Sequence, residues 1–289
     1  MYSYYPRLHS ELTGNRKEKM KLNKGSVTAS IIFAAGKGSR MKGYEGNKTL
    51  LPLIPGQSPF EGSRPILLRI IDILPPGPKA VVVNYKREDV IGATGGLDLT
   101  YCEQPQINGT GGALLAAKKF LEDNDFERLL ITMGDVPLVK ASTFNALLKV
   151  LDRHNMAVLG FRPSDRKEYG MLEIIEGKVR KIIEWKYWSR YPKEQQDALE
   201  ICNSGIYAVS GDGLLRYLDI LGKMPHRVIK EREGRKVEVE EFFITDLIEL
   251  MSNDGLSVGC SLADENEVMG VDDMQSLIRA QELFNLAPL

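Results

Sequence analysis

Apolar residues in the first half of the chain cluster in short strand-like stretches, at residues 27–33, 80–84, 97–103, 128–133 and 157–160. Short runs rich in Val, Ile and Leu and ended by Gly, Asn or Pro predict buried strands. Between them, residues 65–74, 113–122 and 141–153 carry apolar positions at helical spacing, the first with Pro near its opening turn. Strand and helix alternating in this way predict right-handed crossovers and a doubly wound, mostly parallel, Rossmann-like α/β sheet.

The pattern changes after Tyr169. Residues 169–179 predict a hairpin about Glu176-Gly177, with 182–188 extending it, and 201–209 predict a strand interrupted by Asn203-Ser204. The mixed-charge run 227–241 predicts a solvated loop or edge. A helical period follows at 241–251, then a last strand ending at 268–273 and a closing helix over 274–284. No repeat or Pro/Gly/Ser-rich linker divides the chain. It is expected to form a polar, mobile arm (1–26) and one domain (27–289) with a small β-rich lid, split into 27–165 and 166–289.

Composition narrows the function classes. The 289 residues are 43% hydrophobic, enough for a sizeable core, and a formal net charge of -1 gives no global field for nucleic acid or acidic membrane. Cys102, Cys202 and Cys260 lie far apart without a C-x-x-C pair, which argues against disulfides and zinc and for a cytoplasmic setting. No stretch approaches the roughly 18 uncharged apolar residues of a membrane span. The arm has cations (Arg16, Lys17, Lys19, Lys21, Lys24) but no apolar segment of a secretory signal after them. The histidines, His9, His154 and His226, lie in no motif, so a hydrolase triad has little support.

Candidate chemistry concentrates where the first run breaks into Ala34-Ala35-Gly36-Lys37-Gly38-Ser39-Arg40-Met41. Glycines free backbone N–H groups, small alanines allow close approach, and Lys37 and Arg40 add charge suited to phosphate oxygens. A dinucleotide G-x-G-x-x-G fails at Met41, and the stretch 43–49 has the wrong spacing for a P-loop. Residues 104–112 form a second glycine-rich loop before a helix. Asp135 follows the clearest strand, where open α/β sheets bind ligands. Asp272 precedes a helix and reads equally as its N-cap. The aromatic cluster Trp185, Tyr187, Trp188 and Tyr191 reads as packing before ligand stacking.

Taken in order, residues 34–41, Lys48, Gly109-Thr110, Gly134-Asp135-Val136-Pro137-Leu138, Tyr169-Gly170, Ile183-Glu184, Asn203-Ser204-Gly205, Ile244-Thr245-Asp246 and Gly270-Val271-Asp272 resemble the sugar-1-phosphate nucleotidyltransferases. The nearest likeness is the uridylyltransferase domain of bifunctional GlmU-type enzymes, over about residues 30–284. The resemblance implies Mg²⁺-dependent attack of a sugar 1-phosphate on the α-phosphorus of a nucleoside triphosphate, with UTP favoured, and release of pyrophosphate. It gives nucleotide contacts to Phe33, Ala34, Ala35, Gly36, Lys37, Gly38, Gln104, Gly109, Thr110 and Gly134, and catalytic roles to Arg40 and Lys48. It gives the sugar to Gly170, Glu184 and Asn203, and the metal to Asp135 and Asp272.

Four positions depart from that pattern: Asp272 replaces the usual Asn, Met133 a Tyr, Met171 an Arg, and Asn47 a Pro in a loop one residue longer. The β-helix of GlmU-type proteins finds no counterpart in these residues, so acetyl transfer is not expected. Nucleic acid and membrane are not expected as partners. Two alternatives stay open: a non-sugar phosphorylated acceptor, as in MobA-like or cytidylyltransferase-like enzymes, and a non-catalytic nucleotide-sugar sensor.

Overall fold

A computed structural model describes residues 26–232 and 235–286. The arm assigned to 1–26 lies, except for Ser26, outside the described residues, as do the last three positions of the 166–289 part. Strands are β1 (Thr28–Phe33), β2 (Pro52–Pro55), β3 (Gly62–Pro65), β4 (Lys79–Val83), β5 (Thr100–Glu103), β6 (Arg128–Met133), β7 (Met156–Phe161), β8 (Met171–Ile175), β9 (Lys178–Ile183), β10 (Cys202–Ser210), β11 (His226–Arg232), β12 (Arg235–Glu241) and β13 (Val258–Ala263). Helices are α1 (Ile66–Ile73), α2 (Arg87–Thr94), α3 (Thr110–Ala116), α4 (Lys118–Asp123), α5 (Ala141–Val150), α6 (Trp185–Trp188), α7 (Lys193–Asp197), α8 (Leu214–Leu221), α9 (Asp246–Asn253) and α10 (Met274–Leu286).

The main sheet runs β13-β7-β10-β6-β1-β4-β5. β1 is parallel to both β4 and β6, β4 to β5, and β13 to β7, while β10 runs against β6 and β7. The strands carry apolar side chains on both faces because both faces are covered. Ile32, Leu130 and Leu159 join one buried cluster and Ile31, Ile131 and Val158 the other. This explains the apolar character of the central strands β1, β6 and β7.

Connectivity places the site. From β1 the chain goes to β4 and β5 on one side and then returns to β6 on the other, so the order reverses between β1 and β6. Ligands of open α/β sheets bind at such a switch point, outside the carboxyl ends of the strands. The glycine-rich loop leaves β1 there, and Gly134-Asp135 leaves β6 beside it, with Gly134 N–H donating to Phe33 O at 2.9 Å.

The lid grows from this sheet. β8 pairs with β10 and β9, and β10, which belongs to the second half of the chain, lies between two strands of the first. Three expectations need correction. Residues 182–188 do not extend the hairpin: β9 ends at Ile183, and Trp185–Trp188 turn into α6, where buried Trp188 donates its indole N–H to Tyr169 O at 2.9 Å. The final strand is β13, and 268–273 is irregular. The charged run is largely exposed, as expected, but forms a two-stranded ribbon of β11 and β12 and not a loop, with Arg227 Nε 3.6 Å from Glu238 Oε1 and Lys230 paired with Glu241 across it. α2 and α8 were not expected from the sequence; α2 carries little apolar periodicity, whereas α8 is amphipathic and buries Leu214, Tyr217, Leu218 and Leu221 at helical spacing, a signal that was passed over.

Candidate active site

The centre of the site is an ammonium between two carboxylates. Lys48, opening a 3₁₀ turn (Lys48–Leu50), is largely buried and pairs with Asp135, while its Nζ lies 2.6 Å from Asp272 Oδ1. Asp135 is fixed by its backbone, whose carbonyl accepts from Val271 N–H at 2.8 Å and so joins the end of β6 to the segment carrying Asp272. Arg40, exposed in the glycine-rich loop, reaches Asp272 Oδ2 at 2.9 Å. Four residues separated by up to 232 positions in the sequence thereby meet at the switch point.

Burial pulls the Lys48 ammonium towards its neutral form, but Asp135 and Asp272 together outweigh that pull and raise its pKa above the ordinary 10.5. Lys48 is therefore a fixed positive charge at neutral pH, not a base. The helix-capping role expected of Asp272 belongs to its neighbour: Asp273 Oδ1 accepts from Ser276 N–H at 2.8 Å, and Ser276 Oγ receives the N–H groups of both aspartates at 3.0 Å. Asp272 keeps its carboxylate for Lys48 and Arg40.

In the glycine-rich loop the side chains of Phe33, Ala34 and Ala35 are buried, whereas Gly36 and Lys37 are exposed, so the loop offers a ligand its backbone. Gly38 has φ +62°, and a Cβ there would press on the Lys48 stem at 3.2 Å. Lys37 Nζ lies 6.0 Å from the Tyr85 ring centroid, at the outer edge of a cation–π contact.

Gln104, Gly109 and Thr110 come together in the loop that leaves β5. Gln104 is buried, and its amide N–H groups go to Asn108 Oδ1 (2.9 Å) and Gly109 O (3.2 Å), so its donor capacity shapes the loop. The loop is tied to the segment that follows β12 at the base of the ribbon. Phe242 N–H donates to Asn108 O at 2.9 Å, Gly111 N–H to Phe242 O at 2.8 Å, and Ile244 N–H to Thr110 Oγ1 at 3.3 Å.

Gly170, Glu184 and Asn203 also converge. Asn203 N–H donates to Gly170 O at 2.8 Å, and a Cβ on Gly170 would sit 3.5 Å from Glu184 Oε2. Asn203 lies at a bulge of β10, its side chain bonded to Gly205 N–H (3.0 Å) and Tyr207 OH (2.8 Å). Desolvation raises the Glu184 pKa, Lys186 opposes this and Asp246 adds to it. Of the aromatic cluster, Trp188 is buried and Tyr191 half-buried, while Trp185 and Tyr187 are exposed.

Two features were missed from sequence. His226 Nε2 lies 2.8 Å from Asp246 Oδ2 at the base of the ribbon; the Thr-Asp motif hinted at Asp246, but nothing local marked its partner. Asn47, read only as a departure, is fully buried beneath the loop.

The sequence pattern of the MobA-like NTP transferase domain matches residues 30–200, more than half of the chain. The chain belongs to this family. Among curated relatives, the bifunctional protein GlmU of Ruegeria sp. (strain TM1040) is 30% identical over 259 residues, covering 89% of this chain and 53% of that protein. GlmU of Novosphingobium aromaticivorans is 31% identical over 263 residues, covering 89% and 52%. The chain thus spans about half the length of the curated relatives it matches. A Bacillus anthracis structure named for glucose-1-phosphate thymidylyltransferase superposes with TM-score 0.66 at 19% identity, covering 91% of this chain and 97% of that one. The uridine diphosphate N-acetylglucosamine pyrophosphorylase of Trypanosoma brucei gives 0.67 at 12%, covering 88% and 65%. These likenesses establish the nucleotidyltransferase fold.

Proposed function

We propose that the protein transfers a nucleotidyl group from a nucleoside triphosphate, UTP in the first instance, to a sugar 1-phosphate, giving a nucleotide-sugar and pyrophosphate. The observation that carries this reading is the Lys48 ammonium held by Asp135 and Asp272 at the switch point, beside the loop that leaves β1. The GlmU relatives and the sugar-nucleotide enzymes of like fold support a sugar 1-phosphate as acceptor.

The attacking phosphate oxygen is already anionic at neutral pH, since a phosphomonoester has its second pKa near 6, so no general base is needed. The task is to align two anions and offset their charge. The 34–38 backbone and the 104–112 loop hold the nucleotide, Arg40 meets the phosphates that leave, and Lys48 offsets charge at the phosphorus under attack. Gly170, Glu184 and Asn203 hold the sugar.

Asp135 and Asp272 would hold Mg²⁺. Their donor set fits, because Mg²⁺ takes one or two carboxylates and completes its shell with phosphate oxygens and water. Among the described residues no group of three or more His, Cys, Asp or Glu is arranged for a metal, so the shell depends on substrate. When bound, the ion supplies charge neutralisation on the phosphates.

The test is pyrophosphate release with Mg²⁺ from UTP, CTP, GTP, dTTP or ATP against a panel of sugar 1-phosphates. One strong pair is expected. Silence across the panel from protein that binds nucleotide would favour a non-sugar phosphorylated acceptor, a reading to which the MobA-like match lends weight.

A further inference from the structure

We propose that Asn47 is a positioning residue for nucleotidyl transfer, its side-chain amide locking Lys48 to the nucleotide-binding loop. The inference rests on the function proposed above for Lys48. An Asn amide has two N–H donors and one oxygen with two lone pairs. All four are used: Nδ2 donates to Ala34 O at 3.0 Å and Tyr85 O at 2.9 Å, and Oδ1 accepts from Thr49 N–H at 3.0 Å and Thr49 Oγ1 at 2.9 Å. Asn47 is 0% exposed, so each lost bond would leave a buried group unsatisfied.

The consequence for Lys48 follows from the chain path. Residues 34–47 between β1 and the 3₁₀ turn form no regular element, and residues 42, 43 and 45 are exposed. Asn47 closes this excursion by tying the first residue after β1 to the residue preceding Lys48. The nucleotide loop has supports of its own, Ala34 N–H to Val82 O at 2.9 Å and Tyr85 N–H to Ala35 O at 3.3 Å, neither involving Asn47. Loosening Asn47 therefore moves Lys48 more than the nucleotide loop, and the effect falls on turnover and not on nucleotide affinity.

Asn47→Asp keeps the shape but sets a carboxylate oxygen against two carbonyls. A displacement of about 1 Å costs on the order of 10²-fold in rate. Thr49→Val is milder, removing one hydroxyl bond, and Thr49→Ser restores it.

The experiment is a double-mutant cycle with Lys48→Ala, read as pyrophosphate release, alongside competitive acylation of lysines followed by mass spectrometry. Asn47→Asp is expected to lower kcat about 100-fold, with nucleotide KM changed less than about threefold, and to cost almost nothing further once Lys48 is Ala. Thr49→Val is expected to lose about fivefold and Thr49→Ser to recover most of it. Both Asn47→Asp and Thr49→Val should raise Lys48 acylation severalfold against the exposed Lys119 and Lys193. If Asn47→Asp does not fold, the two Thr49 variants decide.

An equal cost of Asn47→Asp with and without Lys48 would overturn the proposal, as would unchanged Lys48 acylation in the folded variants. Wild-type protein inactive with every acceptor would contradict the proposed function alone. The acylation ratio would then still decide the role of Asn47.

Discussion

At the scale of single residues, the site is set by two carboxylates sharing one buried ammonium. Asp272 stands where the resembling family has Asn, and it also meets Arg40. Asp272→Asn should leave the fold and much of the turnover intact while raising the Mg²⁺ concentration for half-maximal rate about tenfold, equivalent to about 1.4 kcal/mol. Titrating rate against Mg²⁺ checks this, and an unchanged midpoint would remove Asp272 from the metal site. The same cluster fixes an alkaline limit to stability. The folded pKa of Lys48 is raised above 10.5, so its contribution is fully present below that pH and is lost as pH climbs through the folded value. Lys48→Met should flatten the fall in unfolding free energy between about pH 10 and 12, measured by denaturant titration.

At the scale of elements, the 104–112 loop is pinned to the segment after β12. Gly109 has φ +94°, and a Cβ there would lie 2.3 Å from Phe242 O. Gly109→Ala should cost about 1–3 kcal/mol from the backbone conformation alone, more with the clash, and should weaken nucleotide binding. Gly96→Ala is the control: φ is +88° but nothing lies within 4 Å, so strain alone should appear and nucleotide affinity should hold. Comparing melting temperature with equilibrium nucleotide binding separates the two effects. Elements were readable in sequence where a single force dominated. β6 is bounded as its apolar run predicts because both its faces are buried. The segment after Ile183 was misread because aromatic residues favour strands locally, whereas Trp188 is drawn inward by its bond to Tyr169 O. α2 was missed because Arg87–Thr94 carries little apolar periodicity and buries only Val90 and Thr94.

At the scale of the molecule, the reversal of strand order between β1 and β6 collects chemistry from Arg40, Lys48, Asp135 and Asp272 at one edge. That convergence was readable from the ordered motifs, of which Asp135 lies just beyond β6, whereas Lys48 opens a 3₁₀ turn and Asp272 lies in an irregular segment before α10. Asn47 and the His226–Asp246 pair were not, since their partners lie 13, 38 and 20 residues away and depend on tertiary packing. The sheet that holds the edge is itself sensitive: Leu130, fully buried on β6 between β1 and β10, should cost about 2–5 kcal/mol as Leu130→Ala, seen as a lower unfolding midpoint.

The most direct measurement is pyrophosphate release by wild type and Lys48→Ala at saturating nucleotide and acceptor, with nucleotide affinity measured in parallel. The expected result is a kcat about 10²–10³-fold lower in Lys48→Ala, with nucleotide Kd within about threefold of wild type, because the proposed mechanism has Lys48 act on charge that develops during transfer. A Lys48→Ala protein that turns over near the wild-type rate would contradict the central role given to the clamped ammonium.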